Sequence, residues 1–291
     1  MSQLAEQDKQ VNKSLLCKLF GVMKSSYYYG LKPKPISLEA VKTRALIRQI
    51  FNDSKHSAGA RSIAAIMMNE HGIKLTRYIA GKLMAQMGLQ SRQIKMHKYK
   101  HADNTHKIHG NLLNHNFSPT APNQVWTGDV TYIRIKGGWC YLAVTLDLYA
   151  RRIVGFSVSD SPDSALTAKA LQMAYQTRLK PSGVLFHSDQ GTHTSKTFAE
   201  SVASCNGITQ SMSRRGNCWD NAPTERFFRS LKTEWIPKGG YENIDEASTA
   251  ITDYIGGYYQ TVRPHTFNNY LTPAEKEKRY FNKNLLSGVL D

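Results

Sequence analysis

Apolar positions change their period once along this chain, near residue 122. Ahead of that point they recur at three- and four-residue intervals, the spacing of a helix face. "SLLCKLFGVMKSSYYYGLK" predicts a short helix, a turn at Gly21-Val22 and a second helix capped by Ser25 or Ser26. "SLEAVKTRALIRQIFNDS" predicts a helix capped by Ser37, with Val41, Ala45, Ile47, Ile50 and Phe51 on its apolar side. "AGARSIAAIMMNEHGIKLTRYIAGKLMAQMGL" predicts a helix, a turn at Gly72, a cap at Thr76 and a second helix. There Ile63, Ile66 and Met67 would pack on Ile79, Leu83 and Met84, leaving Arg61, Arg77 and Lys82 outward. Such a pattern suits either a helix-turn-helix reader of DNA or a plain three-helix packing unit.

Residues 90–122 lose this periodicity, are basic and end in prolines, which predicts a linker. Beyond it the period becomes that of strands. "QVWTGDVTYIRI", a turn at Lys136-Gly137-Gly138, "WCYLAVTLDLYA" and "RRIVGFSVSD" predict three antiparallel strands. A helix ("DSALTAKALQMAYQTR"), a strand ("GVLFHSD"), a helix ("SKTFAESVASC"), a strand ("GITQSM") and a last helix follow. The order βββαβαβα is that of a ribonuclease H-like α/β core, here preceded by an all-α helix-turn-helix region. The expected organisation is a short helical region over 1–35, a DNA-binding domain over 36–90, a basic linker over 91–122 and the core with C-terminal helices over 123–285.

Composition sharpens this picture. The 291 residues carry 38 Lys+Arg against 22 Asp+Glu, a net charge of +16. Residues 1–120 hold 19 of those cations and only 6 of the anions, so the front of the chain is the electrostatic handle for an anionic partner. No signal-peptide pattern and no run of 18 apolar residues occurs, which predicts a protein that is neither exported nor membrane-spanning. Cys17, Cys140, Cys205 and Cys218 form no C-x-x-C pair, and histidines 97, 101, 106 and 109 lack the cysteines of a zinc site.

Three carboxylates stand out. Asp129 lies in the first strand, Asp189 directly follows the buried-looking strand, and Glu225 opens the last helix after a cap from Asp220 or Asn221. Each has an ordinary reading: an exposed strand residue, an Asx-turn, and a helix-dipole partner able to pair with Arg229. In a core of this order, however, the three positions converge at one edge of the sheet. Converged carboxylates repel, and hard divalent cations relieve them: Mg²⁺, as two ions, with Mn²⁺ as a substitute. On the last helix Phe227, Phe228, Leu231 and Trp235 make the buried side, while Glu225, Arg229 and Lys232 share another edge. Arg214 and Arg215 lie just ahead and, with Arg229 and Lys232, are candidate phosphate contacts. Asp147 is the rival acid, read as structural through Arg151 and Arg152.

With "VWTGDVTYI", "LAVTLDLYARRIVGFSVS", "HSDQGTHT", "SMSRRGNCWDNAPTERFFRSLKTEW" and "YYQTVRPH" in view, the chain resembles the catalytic-frame (OrfB) transposases of the frameshifting bacterial insertion-sequence family, over nearly its whole length. Their core is similar to retroviral integrase. The resemblance implies that Asp129, Asp189 and Glu225 are a DDE triad acting on element ends and target DNA, and that Lys232 contacts the element end. It also implies an oligomer on DNA, a cytoplasmic location and an upstream-frame (OrfA) partner, supplied as a fusion or in trans. The chain departs from the family pattern at Ala58-Gly59, His193-Thr194, Tyr259-Gln260 and around Asn268-Asn269-Tyr270. The rival readings are a non-catalytic DNA-binding remnant and a simple nuclease of the ribonuclease H type.

Overall fold

Alternation of β-branched and aromatic residues on either side of Gly137 folds the centre of the chain into a long hairpin. In the computed structural model, which describes residues 12–31, 37–92, 110–189, 193, 195–213 and 221–287, β1 (Val125–Ile135) and β2 (Gly138–Asp147) pair antiparallel, and β3 (Arg152–Ser159) pairs antiparallel with β2. The turn between β1 and β2 is made by Gly137 at φ 83°, a left-handed conformation that glycine adopts without steric cost.

The chain then crosses through α6 (Ser164–Thr177) to β4 (Val184–Ser188) and through α7 (Lys196–Ser204) to β5 (Ile208–Met212). Both strands run parallel to β1, giving the order β3-β2-β1-β4-β5. This is the mixed α/β sheet that the alternation predicts.

Helices cover both faces. On one, Trp126, Val184, Phe186 and Val154 pack with Leu171 and Ala174 of α6 and Phe198 and Val202 of α7. Close approach there requires Gly155, where a methyl group would lie 2.1 Å from the Ala170 carbonyl oxygen. On the other, Ile133, Leu142, Val144 and Leu146 meet Phe227, Phe228 and Leu231 of α8 (Ala222–Glu234) and Trp235 just past its end. Burying each such side chain is worth about 1.5–3 kcal/mol. α9 (Ile244–Thr252) continues as a π-helical stretch, Asp253–Tyr259, whose wider turn sets Tyr254, Ile255, Tyr258 and Tyr259 on the buried side. A 3₁₀ turn (Thr266–Asn268) and α10 (Pro273–Ser287) complete the region.

The front of the chain is helical: α1 (Lys13–Leu19), α2 (Lys24–Leu31), α3 (Leu38–Asp53), α4 (Ala60–His71) and α5 (Arg77–Gln86). Ser37 caps α3, Thr76 caps α5, and Gly72 turns at φ 66° between α4 and α5. Three expectations need correction. Ser25 and Ser26 lie inside α2, because the helix already begins at Lys24. Val41 and Ala45 are exposed on α3, where Ile47, Ile50 and Phe51 alone are buried, and Ile79 is exposed at 44%. In α5 the buried positions are Ala80 and Met84, rotated by one residue so that the small Ala80 approaches the Ile63, Ile66 and Met67 face.

The chain divides into two compact units, Met1–Ala45 and Leu46–Asp291, with the boundary inside α3. Within the second unit α4 and α5 do not stand apart from the core: Val262 joins their apolar cluster, Asn69 donates to the Tyr270 carbonyl and Lys55 sits 4.1 Å over the Trp235 ring. Residues 110–122 also pack, since Leu113 is buried in the α8 core and the Leu112 N–H donates to the Ser211 hydroxyl at 2.9 Å. The histidines at 97, 101, 106 and 109 lie outside the described residues. No helix among the described residues is long and apolar enough to cross a membrane.

Candidate active site

The β1–β4 register builds the site. Gly128 pairs with Ser188 in the parallel ladder, so the next residue on each chain, Asp129 and Asp189, leaves it side by side. Neighbouring strands are about 4.8 Å apart. Gly128 itself must be glycine, because a methyl there would lie 2.4 Å from the Phe186 ring. Asp129 shares the strand side of Thr127, whose hydroxyl meets that of Thr224 on α8 at 2.7 Å. Asn221 holds the same helix start, donating to the Gly128 carbonyl at 3.1 Å and accepting from Thr224 at 2.9 Å. Asn221 therefore does not cap α8 with its side chain; it turns inward and fixes the helix on β1. Glu225 follows Thr224 directly. Asp220, the other expected cap, lies outside the described residues.

Burial and then the Asp189 charge push the Asp129 carboxyl well above the usual carboxylate range; Glu225 adds to this, while the Val130 N–H at 2.7 Å and Lys232 oppose it. Asp189 accepts from or faces His193 Nδ1 at 3.4 Å. His193 is buried between Phe186 and Phe198, and its carbonyl accepts from Gln210. Sequence reading marked His193 only as a departure from a family pattern, and nothing local signals its contact with Asp189. Among the described residues no three His, Cys, Asp or Glu side chains are gathered closely enough to hold a metal ion. The chemistry of the carboxylates still suits a hard cation, since oxygen is its preferred ligand and Asp129 carries an electrostatic cost that a divalent charge would offset.

Lys232 comes close to the acids, since the Asp129 carboxylate acts on its ammonium group, which burial otherwise drives below its usual value. Its Nζ lies 4.2 Å over the Tyr132 ring. Arg229 is exposed on α8. Arg61 on α4 and Arg77 and Lys82 on α5 are likewise exposed, away from the apolar cluster of those helices. Arg214 and Arg215 lie outside the described residues.

Asp147 has a structural place, although not through the partners expected. It is fully buried, accepts from the Asn123 and Tyr149 N–H groups and pairs with Arg178 at 3.6 Å, while Arg152 bonds Glu277 and Gln260 instead. The "YYQTVRPH" stretch also proves supportive. Arg263 forms a two-pronged pair with Glu234 at the end of α8 and reaches Ser230, and Tyr254 donates to the same carboxylate. Burial alone would lower Arg263, but Glu234 raises it above its ordinary value. The helix that carries Glu225 is thus anchored at both ends.

Sequence profiles place these features in a class. Residues 119–218 and 206–273 match integrase core domains, and residues 39–97 match an HTH-like domain. Such a core defines a DDE-type polynucleotidyl transferase. The chain is 34% identical over 272 residues to an uncharacterized 31 kDa protein of insertion element IS600 from Shigella sonnei, covering 91% of this chain and 98% of that one. It is 37% identical to the transposase for insertion sequence element IS904 of Lactococcus lactis, covering 80% and 92%, and 30% identical to transposase InsF for IS3A of Escherichia coli, covering 93% and 94%. The chain belongs to the catalytic-frame transposases of the IS3-type insertion-sequence family, enzymes of DNA transposition.

Proposed function

We propose that Asp129, Asp189 and Glu225 are the catalytic triad, and that they cut the DNA at an insertion-sequence end and join the released 3′-OH to target DNA. The observation that supports this best is the β1–β4 register, which brings two acids to the same end of the strands beneath the helix whose first turn carries the third. The three carboxylates would hold two Mg²⁺ ions, with Mn²⁺ as a substitute. When bound, such ions activate the attacking oxygen and stabilise the leaving oxygen of a phosphodiester.

The chain's own residues do the rest. Asn221 and Thr224 fix the start of α8 on β1, and the Arg263–Glu234 pair fixes its end, so Glu225 has little freedom relative to Asp129. Lys232, on the acid side of α8, holds a phosphate of the element end, and Arg229, Arg214 and Arg215 are the further phosphate contacts expected from sequence. Arg61, Arg77 and Lys82 present the front helices to the DNA backbone. The domain roles are those expected from sequence: DNA binding over 36–90 and chemistry over 123–285. The active species is an oligomer on DNA, working in the cytoplasm on the nucleoid with the upstream-frame protein as fusion or in trans.

The test is cleavage and strand transfer on the element's terminal DNA with Mg²⁺ or Mn²⁺, comparing the chain with Glu225→Gln. Metal-dependent nicking to a 3′-OH that disappears in the variant is expected. DNA binding with no nicking, even with the upstream-frame protein supplied, would instead make the chain a regulator that occupies ends.

A further inference from the structure

β1 continues past the point where β4 stops. β4 pairs with it only through Gly128, and the next contact on that side is the bridge from Ile135 to Tyr241. On this extension, three residues past Asp129 and on the opposite face of the strand, the protein displays aromatic surface that the core does not use, reached from the Asp129 side by Lys232. Tyr132 is 50% exposed and Trp139 of β2 is 49% exposed. Their rings meet edge to face at 5.0 Å and 88°. Both flank cations: Lys232 lies over Tyr132, and exposed Arg134 pairs directly across the ladder with Trp139. Lys232 is also the cation acted on by Asp129, so one side chain links the acids to the aromatic pair.

A diagonal cross-strand aromatic pair of this kind stabilises a hairpin only modestly. That role does not require half of each ring to face solvent, nor a row running cation, ring, ring, cation beside a phosphodiester-cutting site. Rows of that kind bind nucleic acid, the cations taking phosphates and the rings taking base faces. A base inside a duplex is covered on both faces by its neighbours and has none to offer. An unpaired base does.

Resting on the triad reading above, we propose that Tyr132 and Trp139 form a stacking platform for an unpaired base next to the phosphate being cut, with Lys232 and Arg134 holding the adjoining backbone. The platform makes opening of the last base pairs part of substrate recognition. It favours ends that fray readily, and it tolerates many sequences because every base has a π face.

The test uses the full chain carrying Glu225→Gln, or Asp189→Asn should the first fold poorly, so that binding is read without cleavage. The probes are a short blunt duplex and the same duplex with a single-stranded overhang carrying 2-aminopurine at each position in turn. Quenching is expected at one or two overhang positions. Tyr132→Ala and Trp139→Ala should each lose this quenching and bind the overhang probe about tenfold more weakly. Binding of the blunt duplex should be unchanged, and Tyr132→Phe should behave as the parent. Equal quenching and affinity in alanine variants that melt like the parent would overturn the platform. Because this readout is independent of cleavage, its failure is distinct from failure of the triad, which would appear as absent metal-dependent nicking by the unaltered chain.

Discussion

Asp129 on β1 and Asp189, the first residue past the end of β4, each lie one step beyond the Gly128–Ser188 pair of two parallel strands, so the backbone register brings them to the same place. Side-chain rotation can turn the two carboxylates apart, but the strands keep them neighbours.

This enforced proximity opposes stability. Asp129→Asn removes one of two facing charges from a part-buried position and is expected to raise the melting temperature of the metal-free protein while abolishing cleavage. Calorimetry with and without Mg²⁺ checks both halves. The parent should gain stability with metal, and the variant should gain much less. A variant that melts lower than the parent without metal would contradict the argument.

Gly128→Ala would press a methyl group into the Phe186 ring and toward His193 Nε2 at 3.2 Å. The expected cost is about 1–3 kcal/mol, by the general cost of overpacking a core. Denaturant midpoints measure this, and because Asp129 is the next residue, cleavage should fall more than stability does.

Arg263 and Glu234 are mostly buried and bonded in two prongs. Arg263→Ala should cost about 3–5 kcal/mol by stranding Glu234, and Arg263→Lys should restore only part of this because an ammonium cannot form the planar fork. A double-mutant cycle with Glu234→Gln would return a coupling near zero if the pair were incidental.

His265 is held neutral: burial, then Arg263, Arg151 and Arg226, depress its pKa to about 3 from 6.5. The unfolded chain takes up this proton below about pH 6.5 whereas the native one does not. The histidine's contribution therefore falls as pH drops from 6.5 toward 3, with a slope of about 1.4 kcal/mol per pH unit at most. Urea midpoints at pH 7 and pH 5 should differ more in the parent than in His265→Gln. Equal differences would assign the acid sensitivity elsewhere.

Tyr270 adopts φ 65° directly after Asn269 at φ 53°, a left-handed pair after the 3₁₀ turn. A side chain there costs roughly 1–2 kcal/mol. Tyr270→Gly should recover part of that, offset by the flexibility glycine adds to the unfolded chain, and thermal melting would register a rise of a few degrees or none.

The strands, their hairpin and the crossover helices were legible because period-two alternation and short apolar runs bounded by Gly, Asp and Ser are local signals. Asp129, Asp189 and Glu225 stood out only as a set, through the order of the elements around them; taken singly, each had an ordinary reading. Contacts made at long separation were hidden: Arg178 rather than Arg152 beside Asp147, Arg263 on Glu234, Asn221 on the Gly128 carbonyl. Nothing within a few residues of those positions encodes the partner. Ile79 misled for a different reason, since its neighbour Ala80 is small enough to let the two helices approach and the larger side chain is left outside. In the stretch from 110 to 122, Leu112, Leu113 and Phe117 gave no sustained period to read, yet Leu113 is buried in the core and Phe117 packs against it.

That same stretch bears on how the protein can be handled. β5 is an outer strand, and its last residues offer backbone groups to any passing strand; Gly110 accepts the Met212 N–H at 3.4 Å, and Leu112 takes the Ser211 hydroxyl. Residues 110–112 thus act as a guard on an otherwise adhesive edge. A catalytic fragment begun at the first strand would lose that guard together with the Leu113 plug, and would be prone to join edge to edge with its own copies.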